Sequence, residues 1–327
     1  MKALVYHGPG DVRATDMPLP VLKPGEALIK VACSGICGTD LTIASGKHPR
    51  AKAPLILGHE FCGEVVSVHD EVDRHWVGKR VVVEPLLSCG YCRPCLEGNY
   101  HVCETLGFLG IDVPGSMAEY VAAPVHRLYD IGDLAYEKAA LVEPLAVAVH
   151  DVRRSGVKVG EFTVVLGGGT IGQLICQVLV AAGAGEIIVT EPSPFRQRLL
   201  AQLPVKVVDP SRENIPANTA DVVFETAGVT VAVDQAVNIA RVRGTIVQIS
   251  LPKEPIPVDL MKVAFKELNI VGCRVYNRFD YQAAIQLLRS GKINTDTLIT
   301  HIMPLEKGAQ GIELIKKGEA IKVLLQP

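Results

Sequence analysis

From residue 162 to 182 an apolar run breaks into Gly167-Gly168-Gly169-Thr170-Ile171-Gly172 and passes straight into a helical pattern. Ile171, Leu174, Ile175, Val178, Leu179 and Ala182 recur at the spacing of one helix face, the face that packs back on the preceding strand. A strand–turn–helix unit of this kind fits a parallel sheet with crossover helices and few other folds. The residues that follow keep the alternation, with strand patterns at 186–190, 205–208, 221–225, 245–249 and 268–271 and a short helix at 194–200. The pattern predicts a doubly wound parallel sheet over 146–274.

The first 145 residues have another texture. Short segments at 2–6, 26–32, 63–68 and 80–83 alternate apolar and polar residues between glycines and prolines, as in a barrel-like or sandwich-like β domain with long loops. The tail carries a helix at 281–288 stopped by Gly291, a second near 305–317 followed by Gly318, and a last strand at 321–325. The chain is thus an α/β protein of two domains.

Composition narrows the function classes. Lys and Arg number 33 against 35 Asp and Glu, a net charge of -2, so no basic surface points to nucleic acid. No apolar run approaches the roughly 18 residues a membrane helix needs. The first ten residues lack the core of a secretory signal. A cytoplasmic protein follows as the expectation. Nine cysteines, four of them within 89–103, argue in a reducing compartment for metal rather than disulfides.

Three constellations carry chemistry. Gly167, Gly169 and Gly172 match GxGxxG, and with Thr170 and Ile171 they open a helix whose N-terminus can hold a pyrophosphate. Glu191, at the end of the next strand, can accept from both ribose hydroxyls and repel a 2′-phosphate, which favours NAD. Ser193, Arg196 and Arg198 could instead court that phosphate, so NADP stays open. Cys89, Cys92, Cys95 and Cys103 form the second set. Four thiolates in one loop can close on a structural Zn²⁺ with no open position, or hold an iron–sulfur cluster.

The third set begins at Gly58-His59-Glu60. Gly63 falls where a HExxH helix would need its second histidine, and a buried structural histidine is the plain alternative. Cys37 and Glu143, far away in sequence, could complete a thiolate–imidazole–carboxylate set with a fourth position free, as catalytic zinc requires.

Taken together, GICGTD (35–40), GHE (58–60), the four-cysteine loop, VEP (142–144) and GGGTIG (167–172) resemble the zinc-dependent medium-chain dehydrogenases. The nearest branch is that of sorbitol, threonine and butanediol dehydrogenases. The resemblance spans the whole chain. It implies a GroES-like catalytic domain at 1–145, completed by 275–327, a Rossmann domain at 146–274, and an active site in the cleft between them. It implies that Cys37, His59, Glu60 and Glu143 serve a catalytic zinc, that Thr39 relays the substrate proton, and that Arg274 lies near substrate.

One departure stands out. Thr42 occupies the place where relatives often carry a histidine that passes the proton to solvent; His48 is a candidate substitute, with a surface role as its alternative. Three anionic ligands together would blunt the Lewis acidity of Zn²⁺, so one carboxylate is expected to yield.

The expected activity is NAD-dependent, reversible oxidation of a secondary alcohol that is a polyol, cyclitol or sugar derivative. Threonine and simple diols are the runner-up substrates. The rival class is a zinc-stabilised NAD-binding sensor or scaffold without catalysis. The expected partners are a small-molecule substrate and copies of the same chain, in a homodimer or homotetramer paired through a sheet edge at 242–251. Neither nucleic acid nor membrane is expected.

Overall fold

The structure, a computed structural model, describes residues 1–252 and 254–327. Its chain divides into two compact units: Met1–Glu143 with Ala284–Arg289 and Ile299–Pro327, and Pro144–Ala283 with Ser290–Leu298.

In the second unit six parallel strands lie in the order Lys206–Val208, Ile187–Thr190, Thr163–Leu166, Ala220–Glu225, Ala240–Gln248, Asn269–Gly272. Numbered along the chain this is 3-2-1-4-5-6, the dinucleotide-fold order. Thr163–Leu166 sits in the middle and is buried throughout, as expected where helices cover both faces of a sheet. The helix Thr170–Ala182 follows the glycine turn and ends on Gly183 in the left-handed region, φ 82°, the usual helix stop. A Cβ at Gly172 would overlap the Gly167 carbonyl oxygen, so the turn and helix meet only because that side chain is missing.

One detail differs from the sequence pattern and one agrees with it. The crossover from Lys206–Val208 to Ala220–Glu225 has no helix, as the pattern has none there; Pro210 and Pro216 interrupt it, and proline removes both a donor and helical freedom. The segment 242–251, expected at the free edge, lies mostly in the strand Ala240–Gln248, paired on both sides. The edge strands are Lys206–Val208 and Asn269–Gly272. Beside the second of these in sequence, the short helix Leu260–Phe265 leaves Leu260, Met261 and Phe265 exposed.

The first unit is built on a seven-stranded sheet whose central strand Glu26–Gly35 pairs antiparallel with Glu60–Val68, Tyr120–Pro124 and Lys322–Gln326. Alternating Ala27, Ile29 and Val31 pack with Phe61, Val65, Val81, Val83 and Val121 into its core, as the period of two requires. The end of the chain therefore supplies a strand to the N-terminal sheet. Among the described residues no helix is long and apolar enough to cross a membrane.

Candidate active site

Cys37 caps the helix Gly38–Ala44, its N–H donating to Asp40 Oδ2 at 2.8 Å. His59 and Glu60 stand at the start of the strand Glu60–Val68, after a turn in which Gly58 adopts φ 97° against Ser116 and Met117. The sheet register sets Glu60 opposite Gly35, where a Cβ would overlap the Glu60 carboxylate. These local choices bring donor atoms of Cys37, His59 and Glu60 within 4.8 Å of one another, with His59 and Glu60 buried. Glu143, buried in the first turn of the helix Val142–Ser155, is not in that triplet but acts on His59 as a neighbouring charge. Thr39 Oγ1 is 3.7 Å from the Cys37 sulfur.

Two further residues belong to the site, and sequence reasoning missed both. Asp40 Oδ1 faces His59 Nδ1 at 4.0 Å, and neither atom has a hydrogen-bond partner. A carboxylate placed behind an imidazole orients it as a ligand and raises its basicity. Lys322 enters from the last strand, donating to Glu60 Oε2 at 2.5 Å and to the Ile36 carbonyl at 3.0 Å. A lysine inside the apolar run Ile321-Lys322-Val323-Leu324-Leu325 was the one available signal.

The electrostatics agree with a cation site. Burial alone would lower the pKa of His59, but Cys37, Asp40 and Glu143 outweigh it and hold the imidazole well above its ordinary range. Burial likewise opposes the charge on Lys322, and Glu60, Cys37 and Glu143 overcome it. Burial raises Asp40 above the usual carboxylate range, with His59 opposing. Soft thiolate, imidazole and carboxylate in a buried, electronegative pocket with orphaned polar atoms fit Zn²⁺.

The four cysteines converge as well. Their sulfurs approach at 3.4, 3.8 and 3.9 Å, close to the ~3.8 Å edge of a tetrahedron with Zn–S bonds of ~2.3 Å. Backbone N–H groups of Cys89 and Cys92 donate to Cys103 and Cys89 sulfur at 3.3 Å. Against its burial, N–H groups of Cys89 and Thr105 bring the Cys103 thiol down to about 6. All nine cysteines are free thiols. Cys33, Cys62 and Cys176 are buried, and Cys273 is half-buried.

In the second unit Glu191 is buried and occupied. Its Oε2 accepts from Gly168 N–H at 3.0 Å and its Oε1 from Ser193 N–H at 2.9 Å. Arg196 leans on the same carboxylate at 3.6 Å, and the Thr170 backbone begins the helix beyond Gly169. Arg274 is exposed at the C-terminal end of the last parallel strand, followed by Val275 at φ 44°. A β-branched residue in that region is strained, and such strain gathers at functional sites. Thr42 turns its hydroxyl to the Gly38 carbonyl at 3.2 Å. His48 accepts from Arg50 and Ala51 N–H groups through Nδ1 at 3.3 and 3.1 Å. Burial, then Arg50, with His59 a smaller influence, keep its pKa below the ordinary range.

A six-stranded dinucleotide fold and a β-rich unit holding a mixed Cys–His–carboxylate set define the class: a metal-assisted, nicotinamide-dependent dehydrogenase. Residues 23–133 match the family described as alcohol dehydrogenase GroES-like domain, and residues 170–290 match zinc-binding dehydrogenase. The chain is 41% identical over 295 residues to 2-dehydro-3-deoxy-L-galactonate 5-dehydrogenase of Pseudoalteromonas atlantica, covering 86% of each chain. It is 36% identical over 353 residues to (R,R)-butanediol dehydrogenase of Bacillus subtilis, covering all of both. A solved zinc-binding dehydrogenase of Sinorhizobium meliloti, bound to NADP, superposes with a TM-score of 0.94 at 32% identity, covering 100% of this chain and 99% of that one.

The chain belongs to the zinc-dependent medium-chain dehydrogenase family. It is an oxidoreductase that interconverts secondary alcohols and ketones with a nicotinamide cofactor. The non-catalytic sensor or scaffold gains nothing from this membership.

Proposed function

We propose that the chain oxidises a secondary hydroxyl of a polyol, cyclitol or sugar-derived substrate, reversibly, with NAD and two zinc ions. The observation that carries this reading is the buried convergence of Cys37, His59 and Glu60 beside Thr39. Cys37, His59 and Glu143 hold the catalytic ion; Glu60, drawn to Lys322, is the carboxylate that yields its place to substrate. Asp40 orients His59. Zinc held by these residues would supply Lewis acidity to the substrate hydroxyl, and a bound nicotinamide would supply the hydride acceptor. Thr39 takes the hydroxyl proton and passes it towards solvent. His48 is a poor relay for that proton, because its Nδ1 already accepts two N–H groups, leaving Nε2 as a donor when the ring is neutral. Cys89, Cys92, Cys95 and Cys103 hold the second, structural zinc.

The parallel-sheet unit takes the cofactor, with Gly167, Gly169, Thr170, Ile171 and Gly172 at the pyrophosphate and Glu191 at the adenosine ribose. The buried Glu191 carboxylate would repel a 2′-phosphate, which supports NAD; Arg196 is spent on that carboxylate rather than on a phosphate. Arg274 contacts substrate. The sugar-acid dehydrogenase at 41% identity supports a polyhydroxylated substrate, and the butanediol dehydrogenase, aligned end to end, keeps diols and threonine as the second reading. A homo-oligomer is supported by the free edge of Asn269–Gly272 and the exposed Leu260, Met261 and Phe265.

The test is a screen of NAD⁺ and NADP⁺ reduction over polyols, cyclitols, sugar acids, threonine and short diols, before and after chelation. Turnover of a polyhydroxylated substrate with NAD⁺, lost on metal removal, is expected. Activity confined to threonine or diols would move the substrate assignment. Activity that survives with both zincs gone would end the metal reading.

A further inference from the structure

Among the described residues of the parallel-sheet unit, Glu225 is a buried charge to which the nucleotide reading gives no purpose. Glu225 ends the strand Ala220–Glu225 and is wholly buried. Its Oε1 accepts from the N–H groups of Ala227 and Gly228 at 2.9 and 2.8 Å. Its Oε2 accepts from Gln248 Nε2 at 2.9 Å and from the Ser250 hydroxyl. Its carbonyl also takes the Ile249 and Ser250 N–H groups, both at 3.1 Å. The next residue, Thr226, donates its hydroxyl to Leu166 and Gly167 carbonyls at 2.8 and 3.1 Å. Glu225 and Thr226 therefore tie the ends of three neighbouring strands together: Thr163–Leu166, Ala220–Glu225 and Ala240–Gln248.

An apolar side chain would serve the core equally well, because burying a carboxylate is costly unless every lone pair is used. Here three of the four side-chain donors, Ala227, Gly228 and Ser250, come from the turns that follow two strands, and the fourth, Gln248, ends the strand Ala240–Gln248. Those turns line an open cavity of about 690 Å³, bounded by Thr226, Gly228, Thr230, Ser250, Leu251 and Ile256. The cavity lies at the carboxyl ends of the strands, where open α/β sheets bind their ligands.

We propose that Glu225 is a positioning residue for the nicotinamide half of the cofactor, clamping the two turns that line this cavity. The inference rests on the nucleotide reading of the unit. Glu225→Gln puts an amide NH₂ against two of the four donors, so one turn is released while the side chain keeps its shape. The glycine turn and Glu191, which serve the adenosine half, keep their bonds.

The experiment measures NADH and AMP binding to full-length, zinc-loaded wild type and Glu225→Gln, with KM for NAD⁺ and kcat alongside. The NADH dissociation constant and the NAD⁺ KM should rise about tenfold, as expected for losing hydrogen bonds to a charged group, while AMP binding stays within about twofold. Ser250→Ala, which removes a single donor, should show the same split more weakly and serves if Glu225→Gln fails to fold. Parallel weakening of NADH and AMP would reduce Glu225 to a structural role and overturn the proposal, as would no change in either. If wild type binds neither NADH nor AMP, the nucleotide reading falls and takes the clamp with it.

Discussion

The four-cysteine lobe draws its donors from residues 89–103, all of them thiols, three only half-buried. Cys37 comes from one segment and His59 and Glu60 from another; the three differ chemically and have Lys322 and Asp40 packed beside them. On the proposed reading, the first arrangement would use every coordination position on the protein and leave a bound metal inert. The second gathers a thiol, an imidazole and a carboxylate and balances part of the negative charge with a buried lysine. On the same reading, the lobe would protect a local shape, and the mixed site a place for substrate.

The largest effect that could break this contrast comes from His59→Ala. It should lower kcat/KM by roughly 10³-fold, the several kcal/mol that metal catalysis supplies, while one zinc per chain remains in the cysteine lobe. Steady-state kinetics with metal analysis of the same sample checks both halves. If both zincs leave together, the sites are not independent.

Lys322→Met removes one partner of a buried ion pair and should cost about 3–5 kcal/mol of stability; Lys322→Arg should recover most of it. Denaturant unfolding measures the loss. Kinetics should show a rise in KM, because Glu60, no longer drawn to Lys322, then competes with substrate for the ion. Unchanged stability in Lys322→Met would mean the pair does not hold Glu60.

Cys95→Ala acts on the other side of the comparison. A loss of ~3 kcal/mol would lower Tm by roughly 10 °C, with kcat near wild type in the cold, read by calorimetry and by assay at low temperature. A collapse of kcat without a change in Tm would make the lobe catalytic.

The smallest effect is expected from Asp40→Asn. It should weaken zinc at the mixed site by about 10–100-fold, the usual consequence of losing the carboxylate behind a ligating histidine. Competition with a metallochromic chelator reports it, and the cysteine lobe supplies the internal control.

How much of this was legible in the chain follows from the same contrast. The cysteine lobe could be read almost whole, because its donors are neighbours and loop geometry alone gathers them. The glycine turn was legible because strand, turn and helix are consecutive, and the six-stranded sheet confirms its context. Cys37, His59 and Glu143 could be grouped by ligand chemistry alone, and the family resemblance gave that grouping its catalytic-zinc role. Asp40 was hidden because its side chain already had a local use as the partner of the Cys37 N–H. Lys322 was hidden because nothing near it in sequence explains its charge. The sheet edge was misplaced at 242–251 because strand order is a global property that periodicity does not encode.

The Lys322–Glu60 pair joins residues 262 positions apart, and domains fold largely in the order in which they are made. A ribosome emitting this chain therefore exposes Glu60 long before its counter-charge exists. Both residues lie on strands that pair with Glu26–Gly35 in one sheet, so the buried carboxylate and its counter-charge meet only when that sheet takes in the strand Lys322–Gln326. Removing that strand would therefore strip the sheet of a partner and Glu60 of its charge balance in a single step.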